Sequence, residues 1–126
     1  MTRARESANL LSQTATGNMN LSGILTATSV TETVYTLATS GTIALNSANG
    51  SIQTCSASST VTFTDSLTAG QSIVLHVERN LQTINMPTMT WVTSSGNSAP
   101  AVTEKDVFAL WKISTTLYGA YVGSYV

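Results

Sequence analysis

Val61 and Phe63 alternate with Thr62 and Thr64, and after a turn Ile73, Leu75 and Val77 alternate with Ser72, Val74, His76 and Glu78. Every second side chain of an extended strand lies on the same side, so this pattern predicts two strands with a shared buried face. A helix would scatter the same aliphatic residues around its axis. The opposite face is the unusual one, because Val74 and His76 stand among Ser and Thr where charged residues are ordinary.

That lack of charge runs through the chain. Charged residues make up 9% of the 126, against about 25% in ordinary soluble proteins. Seventeen Ser and 22 Thr take their place, and the β-branch of Thr suits a pleated, half-buried surface. A mean hydropathy of +0.16 argues against disorder or a glycosylated stalk. The length fits one domain able to bury roughly two thirds of its extended surface. A net charge of −1 with no basic cluster gives a nucleic-acid partner no electrostatic support. No apolar run approaches the ~18 residues of a membrane span, so no membrane insertion is expected. The opening MTRARESANLL has no continuous apolar core and is not expected to act as a secretory signal. The single Cys55 excludes an intrachain disulfide and reads as a small core residue of a strand.

Residues 3–12 carry the one helical pattern, with Ala4, Ala8 and Leu11 at helical spacing, Thr2 as cap and Glu6 in the first turn. A polar connection follows to residue 23. Strands are expected near 24–30, 33–38, 41–46, 51–56, 60–64, 72–78, 82–85, 88–92, 106–113 and 117–122, separated by turn-forming stretches such as SANGS at 47–51 and SSGNSAP at 94–100. The expected fold is all-β, an antiparallel sandwich or jelly-roll-like domain over 24–126, preceded by a helical arm over 1–23. No repeat of 20–50 residues is visible, which speaks against a solenoid.

Catalytic chemistry is thinly supplied. His76 lies mid-strand and reads as a structural or interface residue, and one His with one Cys cannot form a structural zinc site in a single chain. The six carboxylates are scattered, and VTEKD at 102–106 reads as a solvated turn leading into a strand. No enzyme activity, cofactor or metal is expected. The aromatic residues are more telling, since Phe108, Trp111, Tyr118, Tyr121 and Tyr125 crowd the end of the chain. Phe108 and Leu110 alternate with Val107, Ala109 and Trp111, so the strand is apolar on both faces and must be covered twice, by a loop or by another subunit. Val74, His76 and Trp111 are the expected subunit interface. Trp91, Tyr121 and Tyr125 are candidate stacking platforms for a host-surface glycan or receptor.

GTIALNSANGSIQTCSASSTVTFTDSLTAGQSIVLHVERN and then INMPTMTWVTSSGNSAPAVTEKDVFALWKISTTLYGAYVG, about residues 41–123, resemble a β domain recurrent near the ends of bacteriophage tail-fibre and other virion appendage proteins. The TxTF element is Val61–Thr64, the SxxLxV element Ser72–Val77, the "AP.LT" element lies within Ser98–Thr103, the "DV" pair is Asp106–Val107 and the closing element is Leu117–Gly119. Met86–Pro87 stands where the family has Trp-Pro, and Trp91 lacks a following proline. The resemblance implies a non-enzymatic structural role in a virion, usually as a homotrimer, in contact with other tail or capsid proteins and made in the host cytoplasm. On that reading Arg3, Arg5, Leu10 and Leu11 of the arm anchor the domain to the particle. A capsid decoration protein bracing the head shell and a carbohydrate-binding module are the alternatives.

Overall fold

The computed structural model describes residues 22–94, 96 and 98–126. The chain divides into two compact units, Met1–Val30 and Thr31–Val126. Of the first, residues 22–30 are described, and they are exposed and form no regular element. The strand expected at 24–30 is therefore corrected: among the described residues this stretch forms no strand. The anticipated helix at 3–12 lies outside the described residues.

Among its described residues the second unit has nine strands and one short 3-10 turn, Ser47–Asn49. The strands are β1 (Val34–Thr36), β2 (Gly41–Leu45), β3 (Ile52–Ser56), β4 (Val61–Asp65), β5 (Ser72–Glu78), β6 (Ile84–Asn85), β7 (Thr90–Trp91), β8 (Lys105–Ile113) and β9 (Thr116–Ser124). They form a six-stranded sheet in the order β1-β3-β5-β8-β9-β7 and a three-stranded sheet in the order β2-β4-β6. The all-β expectation holds, but the antiparallel one does not. Among the described residues five of the seven strand pairings are parallel, and only β5 with β8 and β8 with β9 are antiparallel.

From β1 to β6 the chain alternates between the two sheets, laying each strand parallel to the one two places earlier. This is the winding of a short solenoid, contrary to expectation. The repeat is hidden because its step drifts: Val34 pairs with Ile52, 18 positions on, Gly41 with Val61 at 20, Ile52 with Val74 at 22 and Val61 with Ile84 at 23. The β8–β9 hairpin then continues the larger sheet, with an irregularity between Val107 and Phe108.

Inward side chains of both sheets meet in one core. Ile43, Leu45, Val61 and Phe63 come from the small sheet, and Cys55, Ile73, Leu75, Val77, Phe108, Leu110 and Leu117 from the large one. Period-two alternation thus assigned the buried faces of β4 and β5 correctly. Burial pushes the Cys55 thiol pKa up, and a thiol that resists ionisation is a poor nucleophile. Cys55 is expected to take up a maleimide or disulfide reagent only on unfolding, which labelling with and without denaturant will check.

Two turns are fixed by particular residues. The buried Gln53 side chain donates through Nε2 to the Asn46 carbonyl at 2.7 Å and the Gly50 carbonyl at 2.9 Å. These bonds pin the 3-10 turn to the strand that follows it. Gly50 has φ +128°, and a Cβ there would run into the Thr33 carbonyl. At Gly119 a Cβ would strike the Met89 sulfur, with Leu110 Cδ2 at 3.1 Å and Trp91 Cζ3 at 3.2 Å. The bare glycine lets the β7 segment close over β9.

Asp106 corrects another expectation. It is 1% exposed rather than part of a solvated turn. Its Oδ2 accepts from the Thr103 backbone N–H at 2.8 Å, and its Oδ1 accepts from the Thr103 hydroxyl at 2.7 Å and the Tyr121 hydroxyl at 2.9 Å. At the other end of β8, Lys112 donates to Asp65 at 2.6 Å, tying the larger sheet to the end of β4.

Candidate interaction surface

The outward face of the larger sheet follows from the same register that defines the core. Val34, Ile52, Val74, Ala109 and Ala120 are consecutive partners across five strands, an apolar row with no charge in it. On one side run Thr36, Thr54, His76 and Val107. On the other run Ser72, Trp111, Tyr118 and Thr90. The Trp111 and Tyr118 rings stack nearly parallel, with centroids 5.9 Å apart and planes at 12°. Val34 is 60% exposed and Val74 37%. A hollow of about 230 Å³ opens here, lined by Glu32, Ser51, Ser72, Val74, Ala109 and Trp111.

Charge is kept to the margins of this face. At one end Ser56, Glu78 and Lys105 are partners in register, and Lys105 pairs with Glu78 at 2.9 Å. Towards the other, Glu32 accepts a hydrogen bond from the Ser51 hydroxyl. The small sheet differs, presenting Thr42, Ala44, Thr62, Thr64 and Asn85 outward. Sheets rich in parallel strands are normally covered on both faces. The Thr-rich face resembles a solvated surface, whereas the Val34–Ala120 row has the composition of a covered one.

Val74, His76 and Trp111, expected at a subunit interface, all lie on this outward face. The three candidate ligand aromatics are not brought together. The Trp91 and Tyr121 rings lie 6.0 Å and 5.5 Å from the core ring of Phe108, on the inner side. Tyr121 also commits its hydroxyl to Asp106. Trp91 lines a separate groove of about 360 Å³ with Met86, Pro87, Ala99, Pro100 and Val102. Tyr125 is 42% exposed at the charged margin, its ring 5.7 Å from His76 and 6.0 Å from the Lys105 ammonium. The anchoring residues Arg3, Arg5, Leu10 and Leu11 lie outside the described residues. Among those described, no group of three His, Cys, Asp or Glu side chains is placed to hold a metal ion.

The hydrogen bond from Lys105, with one from Ser56, holds the Glu78 pKa below the usual glutamate range, and the same contact raises that of Lys105. The contribution of Glu78 is therefore present above its unfolded pKa, about 4.3. It is lost as pH falls through the lowered folded value. The Lys105 contribution is complete below the unfolded lysine value and is lost as pH rises through the raised folded one. Carboxyl NMR titration should show a Glu78 midpoint below that of free glutamate, moving upward in Lys105→Met.

Comparison with protein-family models, with curated proteins and with solved structures finds no match. The functional reading therefore rests on the geometry of this face and on the sequence pattern.

Proposed function

We propose that this chain is a non-enzymatic structural subunit of a bacteriophage virion, a small trimeric surface appendage of tail-fibre or spike type held to the particle through its N-terminal arm. The observation that carries the reading is the uncharged row Val34, Ile52, Val74, Ala109 and Ala120 on the outward face of a largely parallel sheet. Such a face is stable in water chiefly when something apolar covers it, and the same faces of three copies turned towards a shared axis meet that need. The stacked Trp111–Tyr118 pair beside the row supplies aromatic anchors of the kind concentrated at interface centres. The virion assignment draws its support from the ordered motifs across residues 41–123. The β domain of virion appendages that they resemble is structural and usually trimeric.

Sedimentation equilibrium of the purified chain tests the assembly, with a trimer expected and a monomer at high concentration counting against it. Immunogold labelling of intact virions, with antibody to residues 24–126, tests the location. Gold on the tail or its fibres is the expected result. Gold spread over the head would replace the appendage with a shell-bracing decoration protein, and unlabelled particles would remove the virion assignment.

A further inference from the structure

On the outward face of the larger sheet, one row of side chains separates the apolar row from the charged margin. Thr36, Thr54, His76, Val107 and Gly123 are its consecutive partners in register. The chain has a single histidine, and it stands here. Along β5, Val74 of the apolar row and Glu78 of the margin lie two residues to either side of His76, about 7 Å each way. His76 is half-buried in the single chain. A surface that covers the apolar row therefore reaches the imidazole before it reaches the ion pair.

Few groups of the sheet face this ring. β1 and β3 present Thr36 and Thr54, and β9 presents Gly123, which has no side chain. β8 presents Val107 and, one row on, Lys105. Beyond β9, the Tyr125 ring lies 5.7 Å from the imidazole at a tilt of 58°. Lys105 is held by Glu78 at 2.9 Å, and its ammonium lies 6.0 Å from the centre of the Tyr125 ring. The Glu78 carboxylate also accepts from the Ser56 hydroxyl at 3.1 Å. Among the described residues the ion pairs are Lys105–Glu78 and Lys112–Asp65, so no carboxylate there is paired with His76.

We propose that His76 is a pH switch for assembly: copies associate through this face while the imidazole is neutral and part when it takes up a proton. A neutral ring loses water at modest cost, whereas a cation taken out of water without a counter-ion costs far more. Glu78 can supply that counter-charge only by giving up Lys105, which then becomes the unpaired cation. The Lys105 hydrogen bond keeps the Glu78 carboxylate ionised to lower pH than usual. The margin thus stays a closed pair over the range in which histidines titrate, about pH 5 to 8. Protons bind the separate copies more tightly than the assembly. Association is therefore complete above the ordinary histidine value, about 6.5, and is lost as pH falls below it. In a trimer the effect is multiplied, because each of the equivalent copies must release its own proton. This inference rests on the assembly reading above and adds the condition that controls it.

The test is sedimentation equilibrium of the full chain at about pH 7.5 and about pH 5, with circular dichroism at both to report the fold. A trimer is expected at the higher pH. At the lower one the concentration for half-assembly should rise at least about tenfold while the spectrum stays the same. His76→Gln puts a neutral amide of similar reach in place of the imidazole and should assemble equally at both values. His76→Lys carries the charge throughout, and at about pH 7.5 it should need at least about tenfold more protein to assemble than the parent chain. Acid dissociation or unfolding that persists in His76→Gln would overturn the proposal, as would His76→Lys assembling like the parent. A trimer with the same association at both values removes the switch and leaves the assembly standing, whereas a monomer at both removes the two together.

Discussion

Replacing Asp106 by alanine is expected to destabilise the fold by about 3–5 kcal/mol, read as a lower midpoint in urea unfolding followed by circular dichroism. The carboxylate is 1% exposed and accepts three hydrogen bonds, from the backbone and hydroxyl of Thr103 and from the hydroxyl of Tyr121. Alanine removes all three acceptor contacts at once. Each buried donor left unpaired costs about 1–3 kcal/mol, and the total is less than the sum because Thr103 can relax towards solvent. Asp106→Asn keeps the shape and one oxygen, and should cost about half as much. Tyr121→Phe removes one donor and leaves the ring on Phe108, so about 1 kcal/mol is expected. This series also distinguishes two roles for Tyr121, because a residue serving only as a ligand platform would lose binding on substitution and leave the urea midpoint where it was.

The carboxylate was hard to find in the sequence for a physical reason. VTEKD contains three consecutive charged residues, which ordinarily mark water-facing chain, and only the strand's parity separates them. Lys105 is the first residue of β8 and faces outward to Glu78, so Asp106 must face inward. The spacing Thr103-x-x-Asp106, with a hydroxyl three residues before the acid, was the available signal for its capping partner. Strand positions and inward residues were legible for the same reason in reverse, since alternation reports faces directly. Val61, Phe63, Ile73, Leu75, Val77, Phe108 and Leu110 are all buried. Direction was not legible, because a period of two is the same for parallel and antiparallel neighbours. The solenoid was masked by its step drifting from 18 to 23 residues. Aromatic content does not report packing either: the Trp91 and Tyr121 rings both lie near Phe108, and Trp91 also lines a groove. The outward set of Val74, His76 and Trp111 was legible because the neutrality of that face is written in the residue types themselves.

Val74→Glu is expected to raise the concentration at which the chain assembles by about a hundredfold, equivalent for a trimer to about 5.6 kcal/mol of association free energy per assembly. Val74 is the middle member of the apolar row and is 37% exposed in the single chain. A glutamate there remains hydrated in the monomer. In the assembly it would be desolvated opposite an apolar face with no cation to meet it, because Lys105 at the margin is already paired with Glu78. Thermal unfolding measured under monomeric conditions should change little, and sedimentation equilibrium should show the shift towards monomer. Thr64→Glu on the outward face of the small sheet is the matched control, an equal charge on an equally solvated strand that should leave the assembly constant unchanged. Salt further separates the readings. An interface held by apolar contact should keep its association constant between low and moderate ionic strength, whereas one held by the Glu78 and Lys105 margin should weaken as the charges are screened. Unchanged assembly in Val74→Glu would move the interface off this face of the larger sheet.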